Sequence, residues 1–198
     1  MKPAVLLTDG DQRSSLAITR SLGAAGHTVF VCSNRRHALA GASRFARAQA
    51  QVPDALVDPA AFAEAVAALL RRWSVGVLVP VTAAALLALL PRREALGGVT
   101  LPFPPLACYR RISDKAEVQR VARDLGIATP AQAIVPDKNA GAAFDAGGLR
   151  FPLVLKPARS VADGPGRRTK HNVTYAADSA ALRSGLAALP AAAFPVLV

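Results

Sequence analysis

The feature that most constrains the fold is an alternation in the first hundred residues: short apolar runs of strand character, each followed after a brief connection by a segment of helical period. Residues 4–8 (AVLLT) and 27–33 (HTVFVCS) read as strands, and residues 12–26 between them as a helix stopped by Gly26. A third short strand is expected near residues 48–53, then a helix over 58–73 with Asp58 as N-cap and Pro59 at the first helical position. VGVLVPV (75–81) reads as a further strand. Residues 82–96 read as a helix capped by Thr82, with Arg92 and Arg93 favouring its C-terminal end, and VTLPF (99–103) as the last strand. Strands connected through helices pair in parallel, so the expectation is a doubly wound α/β sheet.

Beyond residue 112 the pattern changes. Residues 113–127 predict an amphipathic helix with Val118, Val121, Ala122 and Leu125 on one face, Asp114 and Glu117 at capping-box spacing, and Gly126 closing it. A strand at 129–136, a short helix at 137–148, a strand at 151–158, a loop at 159–170, a strand at 171–177, a helix at 178–189 and a strand at 194–198 follow. With no helix between each pair of strands, this half reads as an antiparallel α+β unit. Two domains are therefore expected, 1–112 and 113–198.

Composition closes off several classes. An apolar fraction of 52% in 198 residues is ample for real cores. Cys32 and Cys108 are far apart and lack metal-ligand spacing, which speaks against a zinc knuckle or a disulfide framework and for reduced thiols, as in a cytoplasm. The stretch 74–91 approaches the length of a membrane span, but Pro80 and Thr82 divide it into a strand and a capped helix. The opening residues have too short an apolar run for a secretory signal. A net charge of +11 invites a nucleic-acid reading, yet the cations are scattered arginine pairs and aromatics make up only 5%, so neither a basic stripe nor a stacking platform is expected.

Two places carry chemistry. The first strand ends in TDGDQRSS, where ligands of parallel sheets bind. A dinucleotide fingerprint would need three glycines there, and only Gly10 is present. Either Gly10 makes the turn and Asp11 caps the helix, or Asp9, Asp11 and Arg13 face a polar substrate. The second place is FPLVLKPARS, residues 151–160. Its unbroken apolar run reads as a strand covered on both faces and ending at Lys156, which Pro157 holds in an extended conformation. A bound polyphosphate would explain a lysine there, as it would Lys115, which opposes the dipole at the start of its helix. Arg159, Arg167, Arg168 and Lys170 bracket the loop DGPG, a basic segment able to fold over the same anion. The alternative is a lysine that reaches water beside an ordinary hairpin connection.

The run SDKAEVQRVARDLGIATPAQAIV, then FPLVLKPARS, VTYAADSAALRSGL and FPVLV, resembles the ATP-grasp superfamily, and TDGDQRSSLAITRSLGAAGH resembles the Rossmann-like domain that precedes it in carbamoyl-phosphate-synthetase-like members. The resemblance covers essentially the whole chain. It implies a Rossmann-like pre-ATP-grasp domain followed by a small α+β subdomain, with Lys115 and Lys156 contacting ATP phosphates and residues 159–170 as a lid. It also implies an ATP-dependent carboxylate–amine or related ligase working through an acyl phosphate, with ATP and Mg²⁺ as cofactors and a small carboxylate as substrate. The family's adenine hinge and its magnesium ligands lie beyond a strand like FPVLV. This chain is accordingly expected to be an N-terminal portion, inactive alone, with no catalytic residue or metal ligand of its own, completed by the other half as a separate chain or through a homo-oligomer. The competing expectation is a noncatalytic nucleotide- or metabolite-binding module, or one subunit of a split enzyme.

Overall fold

A computed structural model describes residues 2–164 and 166–198. Two compact units are present: residues 1–106 with 164–168, and residues 107–163 with 169–198.

In the first unit β1 (Val5–Leu7), β2 (Val29–Ser33), β3 (Ala46–Gln51) and β4 (Val77–Val79) form one sheet in the order β3-β2-β1-β4. Every pairing in it is parallel. The helices α1 (Arg13–Ala24) and α2 (Pro59–Arg72) cross over from β1 to β2 and from β3 to β4, whereas α3 (Ala83–Leu89) follows β4 and β2 reaches β3 without a helix. β1 and β2 are buried along their whole length, as strands of a parallel sheet are. Asp58 caps α2 by accepting from the Ala61 N–H, and Thr82 caps α3 by accepting from the Ala85 N–H. Gly26, at φ +82°, ends the turn after α1, a left-handed conformation that suits glycine.

Three expectations for this unit change. Asp11 does not cap α1: the N-cap is Gln12, with no side-chain cap, and Ser15 instead sends its hydroxyl back to the carbonyls of Thr8 and Asp9. The helix expected over 82–96 stops at Leu89 and continues as a 3₁₀ segment, Leu90–Leu96, because Pro91 removes a helical donor. Arg93 then donates to the carbonyls of Leu101, Phe103 and Pro104 and straps down the next segment, rather than serving a helix dipole. VTLPF contributes a single parallel bridge, Thr100 to Val77, in place of a fifth strand.

The second unit has a four-stranded sheet in the order β5-β10-β6-β9, from β5 (Ile134–Val135), β6 (Leu153–Pro157), β9 (Thr174–Ala176) and β10 (Val196–Leu197), with every pairing antiparallel. Leu153 and Leu155 of β6 point into a core shared with Val135, Leu182, Leu186, Phe194 and Val196, beneath α6 (Lys138–Ala142) and α7 (Ser179–Ala188). Asp137 and Asp178 cap these two helices. The intervening residues of β6 take the other side: Val154 is half-buried and Lys156 exposed. The run FPLVLKP is thus covered on one face only, since an antiparallel sheet can leave its second face open and an apolar run does not by itself distinguish the two cases.

The segment expected as a loop contains a two-stranded ribbon, β7 (Val161–Asp163) with β8 (Arg168–Lys170). Pro165, within it, lies outside the described residues. The remaining helices are α4 (Leu106–Ser113) and α5 (Lys115–Asp124). Among the described residues, no helix is long and apolar enough to cross a membrane.

Candidate functional site

The site grows out of the first turn of α5. Asp114 takes the N-cap and accepts from the N–H groups of Ala116 and Glu117, at 3.0 and 3.3 Å. Glu117 does not complete a capping box. Its carboxylate meets Arg120 at 2.9 Å and Arg111 at 3.5 Å, and the Arg120 hydrogen bond, before all other causes, holds it below the usual carboxylate range. The Lys115 N–H, one of the donors a helix start leaves over, is satisfied by the Ala158 carbonyl at 2.9 Å, which ties α5 to the end of β6.

The Lys115 side chain follows the same path. Its ammonium donates to the carbonyls of Pro157 and Ala158, at 3.0 and 3.3 Å, and to the Ser160 hydroxyl at 3.1 Å. A lysine that opposes the helix dipole is therefore held by three oxygens of the β6 exit. Burial, first of all, lowers its proton affinity; the Asp114 carboxylate opposes this and the nearby Lys156 ammonium adds to it. The lysine under electrostatic strain is Lys115, whereas Lys156, expected from the sequence to need a partner, stands exposed at the end of its strand.

Both lysines border one cavity of about 450 Å³ on the open side of the second unit's sheet. Val118 and Gln119 of α5, Gln132 and Arg150, Val154 of β6, and Leu197 and Val198 also line it, and no aspartate or glutamate does. A concave surface bearing three cations and no acid suits an anionic ligand. The apolar stripe expected for α5 is present but uncovered among the described residues: Val118 is 44% exposed and Leu125 69%.

The other sequence candidates lie elsewhere. Arg159 sits 3.8 Å from the Asp114 carboxylate and does not line the cavity. Arg167 and Arg168 belong to the ribbon tip that groups with the first unit, where the Arg168 N–H donates to the Leu56 carbonyl at 2.6 Å and its guanidinium to the Leu87 carbonyl at 3.3 Å. Lys170 is exposed on β8. In the first unit, the Asp9 carboxylate accepts from the N–H groups of Val81 and Thr82 and from the Thr82 hydroxyl, which joins the turn after β1 to the start of α3. Asp11 accepts from Ser33 and Gln12, and Arg13 opens α1 in an exposed position. Arg150, Gln119 and Gln132 were not singled out in the sequence. Only Gln119 carried a signal, its position one helical turn beyond Lys115.

A parallel sheet followed by an antiparallel one matches solved structures along nearly the entire chain. The L-amino acid ligase from Bacillus licheniformis aligns at 17% identity and TM-score 0.67, covering 100% of this chain and 44% of that one. The N5-carboxyaminoimidazole ribonucleotide synthetase from Thermotoga maritima aligns at 17% and 0.60, covering 99% and 45%. The biotin carboxylase domain of the Hydrogenobacter thermophilus 2-oxoglutarate carboxylase, solved with MgADP, ADP and bicarbonate, aligns at 15% and 0.60, covering 93% and 40%. The fold is that of the N-terminal portion of ATP-grasp enzymes. The chain spans less than half the length of these ATP-grasp structures. No protein-family model matches it, and neither does any curated protein.

Among the described residues no three His, Cys, Asp or Glu side chains cluster in a way that could hold a metal ion. Together with the acid-free cavity lining, this means that the residues present do not fit a magnesium site. They do fit the polyphosphate of a nucleotide.

Proposed function

We propose that this chain is the nucleotide-holding N-terminal portion of an ATP-dependent carboxylate–amine or related ligase. The observation that carries the reading is the convergence of Lys115 and Lys156 on one acid-free cavity in a fold shared with ATP-grasp enzymes. Lys156 is exposed and available to a phosphate oxygen as the fold stands. Lys115 acts on the same anion from the β6 exit through its charge, its three N–H donors being engaged by the oxygens of Pro157, Ala158 and Ser160. Two fixed positive charges neutralise the phosphates and orient the γ-phosphoryl group, which is how proteins promote phosphoryl transfer.

In the whole enzyme a substrate carboxylate oxygen attacks the γ-phosphorus and ADP leaves, forming an acyl phosphate. An amine or similar nucleophile then attacks the acyl carbon and inorganic phosphate leaves. In this reading the present chain supplies nucleotide binding and phosphate neutralisation, and turnover requires the rest of the enzyme. Residues 159–170, which include Arg159, Arg167, Arg168 and Lys170, are proposed as the lid, and Asp9, Asp11 and Arg13 as the edge of the substrate pocket.

Calorimetric titration with ATP and magnesium tests the reading. Heat of binding that Lys156→Ala loses is the expected result. A folded wild-type chain that binds neither ATP nor inorganic tripolyphosphate would overturn it.

A further inference from the structure

Lys115, Lys156 and Arg150 all line the cavity, but they are not equivalent. Lys115 is held by the oxygens of Pro157, Ala158 and Ser160. Lys156 and Arg150 are both exposed, and among the described residues neither side chain makes a hydrogen bond or an ion pair. The nucleotide reading above uses the two lysines and leaves Arg150 without a task.

β6 sets the spacing of the two free cations. Side chains of a strand alternate between faces, so Val154 and Lys156 share the open face while Leu153 and Leu155 enter the core. Arg150 and Pro152, the next two even positions toward the start of the strand, line the same cavity. This wall therefore reads arginine, proline, valine, lysine. Lys156 stands about 10 Å along the strand from Leu153, and Arg150 comes before it, so the two Cα positions are at most about 20 Å apart. Leu197, the register partner of Lys156, adds apolar lining together with Val198 and Val118. With no aspartate or glutamate in the lining, the matching ligand has an anionic group at each end and a less polar body between. A nucleoside triphosphate satisfies one end only. Its charge is gathered on a single chain of phosphates, and Arg150 is left facing the uncharged part of the molecule.

We infer that Arg150 is a second anion-binding position of this cavity, and that it favours a nucleotide carrying a further phosphoryl group on its sugar, an inference that rests on the nucleotide-binding reading above. The 5′-phosphates lie at Lys115 and Lys156, the nucleoside lies along Val154, and the sugar phosphate meets the Arg150 guanidinium. Arginine suits that role: its planar fork donates two parallel hydrogen bonds to one phosphate, and it stays charged at every working pH. The long stems of arginine and lysine let the charged groups sit closer together than their backbones do, within reach of the two phosphate groups of one nucleotide. A plain sugar hydroxyl leaves Arg150 in water, with no penalty and no gain. Arg150 thus discriminates by added affinity and not by exclusion, and both kinds of nucleotide compete for the same lysines.

The test titrates the wild-type chain and Arg150→Gln with inorganic tripolyphosphate, adenosine 5′-tetraphosphate and adenosine 3′-phosphate 5′-diphosphate, at about 0.15 M salt to screen distant charges. The two nucleotides carry closely similar charge, gathered at one end in the first and divided between two positions in the second. Their affinity ratio within one protein therefore reports where the charge sits and not how much there is, and any general weakening in the variant cancels. The wild type is expected to bind the divided nucleotide about tenfold more tightly, the scale of a charge-assisted hydrogen-bonded pair. Arg150→Gln, with its fold confirmed by circular dichroism, is expected to bring the ratio to parity. Equal affinities in the wild type, or a preference that Arg150→Gln retains, would overturn the inference and leave the lysine site standing. Tripolyphosphate binding without binding of either nucleotide would do the same. A wild type that binds none of the three removes the nucleotide reading, and this inference with it.

Discussion

The Lys115 ammonium lies 3.0 Å from the Pro157 carbonyl, forty-two residues further along the chain, and reaches the Ala158 carbonyl and the Ser160 hydroxyl from the same position. This contact makes Lys115 part of the architecture as well as of the proposed phosphate site. Lys156, one residue before Pro157, makes no comparable commitment and stands exposed. The two lysines should therefore separate under mutation. Lys115→Met is expected to cost about 1–2 kcal/mol of stability, since hydrogen bonds from a charged group are worth more than neutral ones. Lys156→Ala should leave stability within about 0.5 kcal/mol of wild type, as for a typical surface change. Both should weaken ATP binding. Urea unfolding alongside nucleotide titration measures the two effects separately; equal stability losses in the two variants would contradict the assignment.

Asp9 presents a comparable separation in the first unit. It has φ +55°, a left-handed conformation that aspartate and asparagine tolerate better than alanine does, and its carboxylate accepts three hydrogen bonds from Val81 and Thr82. Asp9→Ala loses both the acceptors and the conformational tolerance, and should destabilise by about 2–3 kcal/mol. Asp9→Asn keeps the backbone preference and one acceptor oxygen, so its loss should be clearly smaller. Thermal unfolding of the pair decides: an Asn variant as unstable as the Ala variant would show that the carboxylate's charge, and not its geometry, secures the turn.

Gly10 tests how closely β1 and β2 approach at the end of the sheet. A Cβ built there would lie 2.4 Å from Val31 Cγ1 and 3.0 Å from Ala38 Cβ, so the residue is required by a close approach and not by the turn itself. Val31 is fully buried and cannot swing into solvent. Gly10→Ala is expected to destabilise by about 1–3 kcal/mol, the range for overpacking a filled core. A neutral effect in denaturant unfolding would mean that the strand end yields more readily than its packing indicates.

What could be read from the sequence, and what could not, follows from where each signal originates. The parallel sheet was legible because strand, cap and helix alternate locally: Asp58, Thr82 and Gly26 each do in the structure what their neighbours suggested. The lysine pair was legible as a motif, and the comparisons bear out the fold that the motif implies. The partners of Lys115 were not, because Pro157, Ala158 and Ser160 meet it only through tertiary packing. One-sided covering of β6 was equally hidden, since Val154 has the same chemistry whether it faces a helix or a cavity. Arg150 escaped notice for a related reason: an arginine becomes informative only once the fold sets it in the cavity that the lysines line.

His171 supplies the last prediction, a pH dependence. Its backbone N–H donates to the Ser160 carbonyl at 2.9 Å, its Nε2 is buried without a partner among the described residues, and burial lowers its proton affinity below that of a free imidazole. The unfolded chain therefore binds a proton more readily than the folded one at pH values between the lowered folded pKa and the ordinary value of 6.5. The contribution of this ring to stability must therefore rise with pH across that window, and on acidification its loss is complete once the pH is below the folded pKa. Replacing the ring with His171→Gln removes this contribution while keeping a polar side chain of similar reach. Unfolding free energies measured from pH 5 to 7.5 should show a shallower slope in the variant below pH 6.5 and parallel curves above it. Identical slopes throughout would mean that other groups carry the acid sensitivity and that the ring is protonated as easily in the fold as in the unfolded chain.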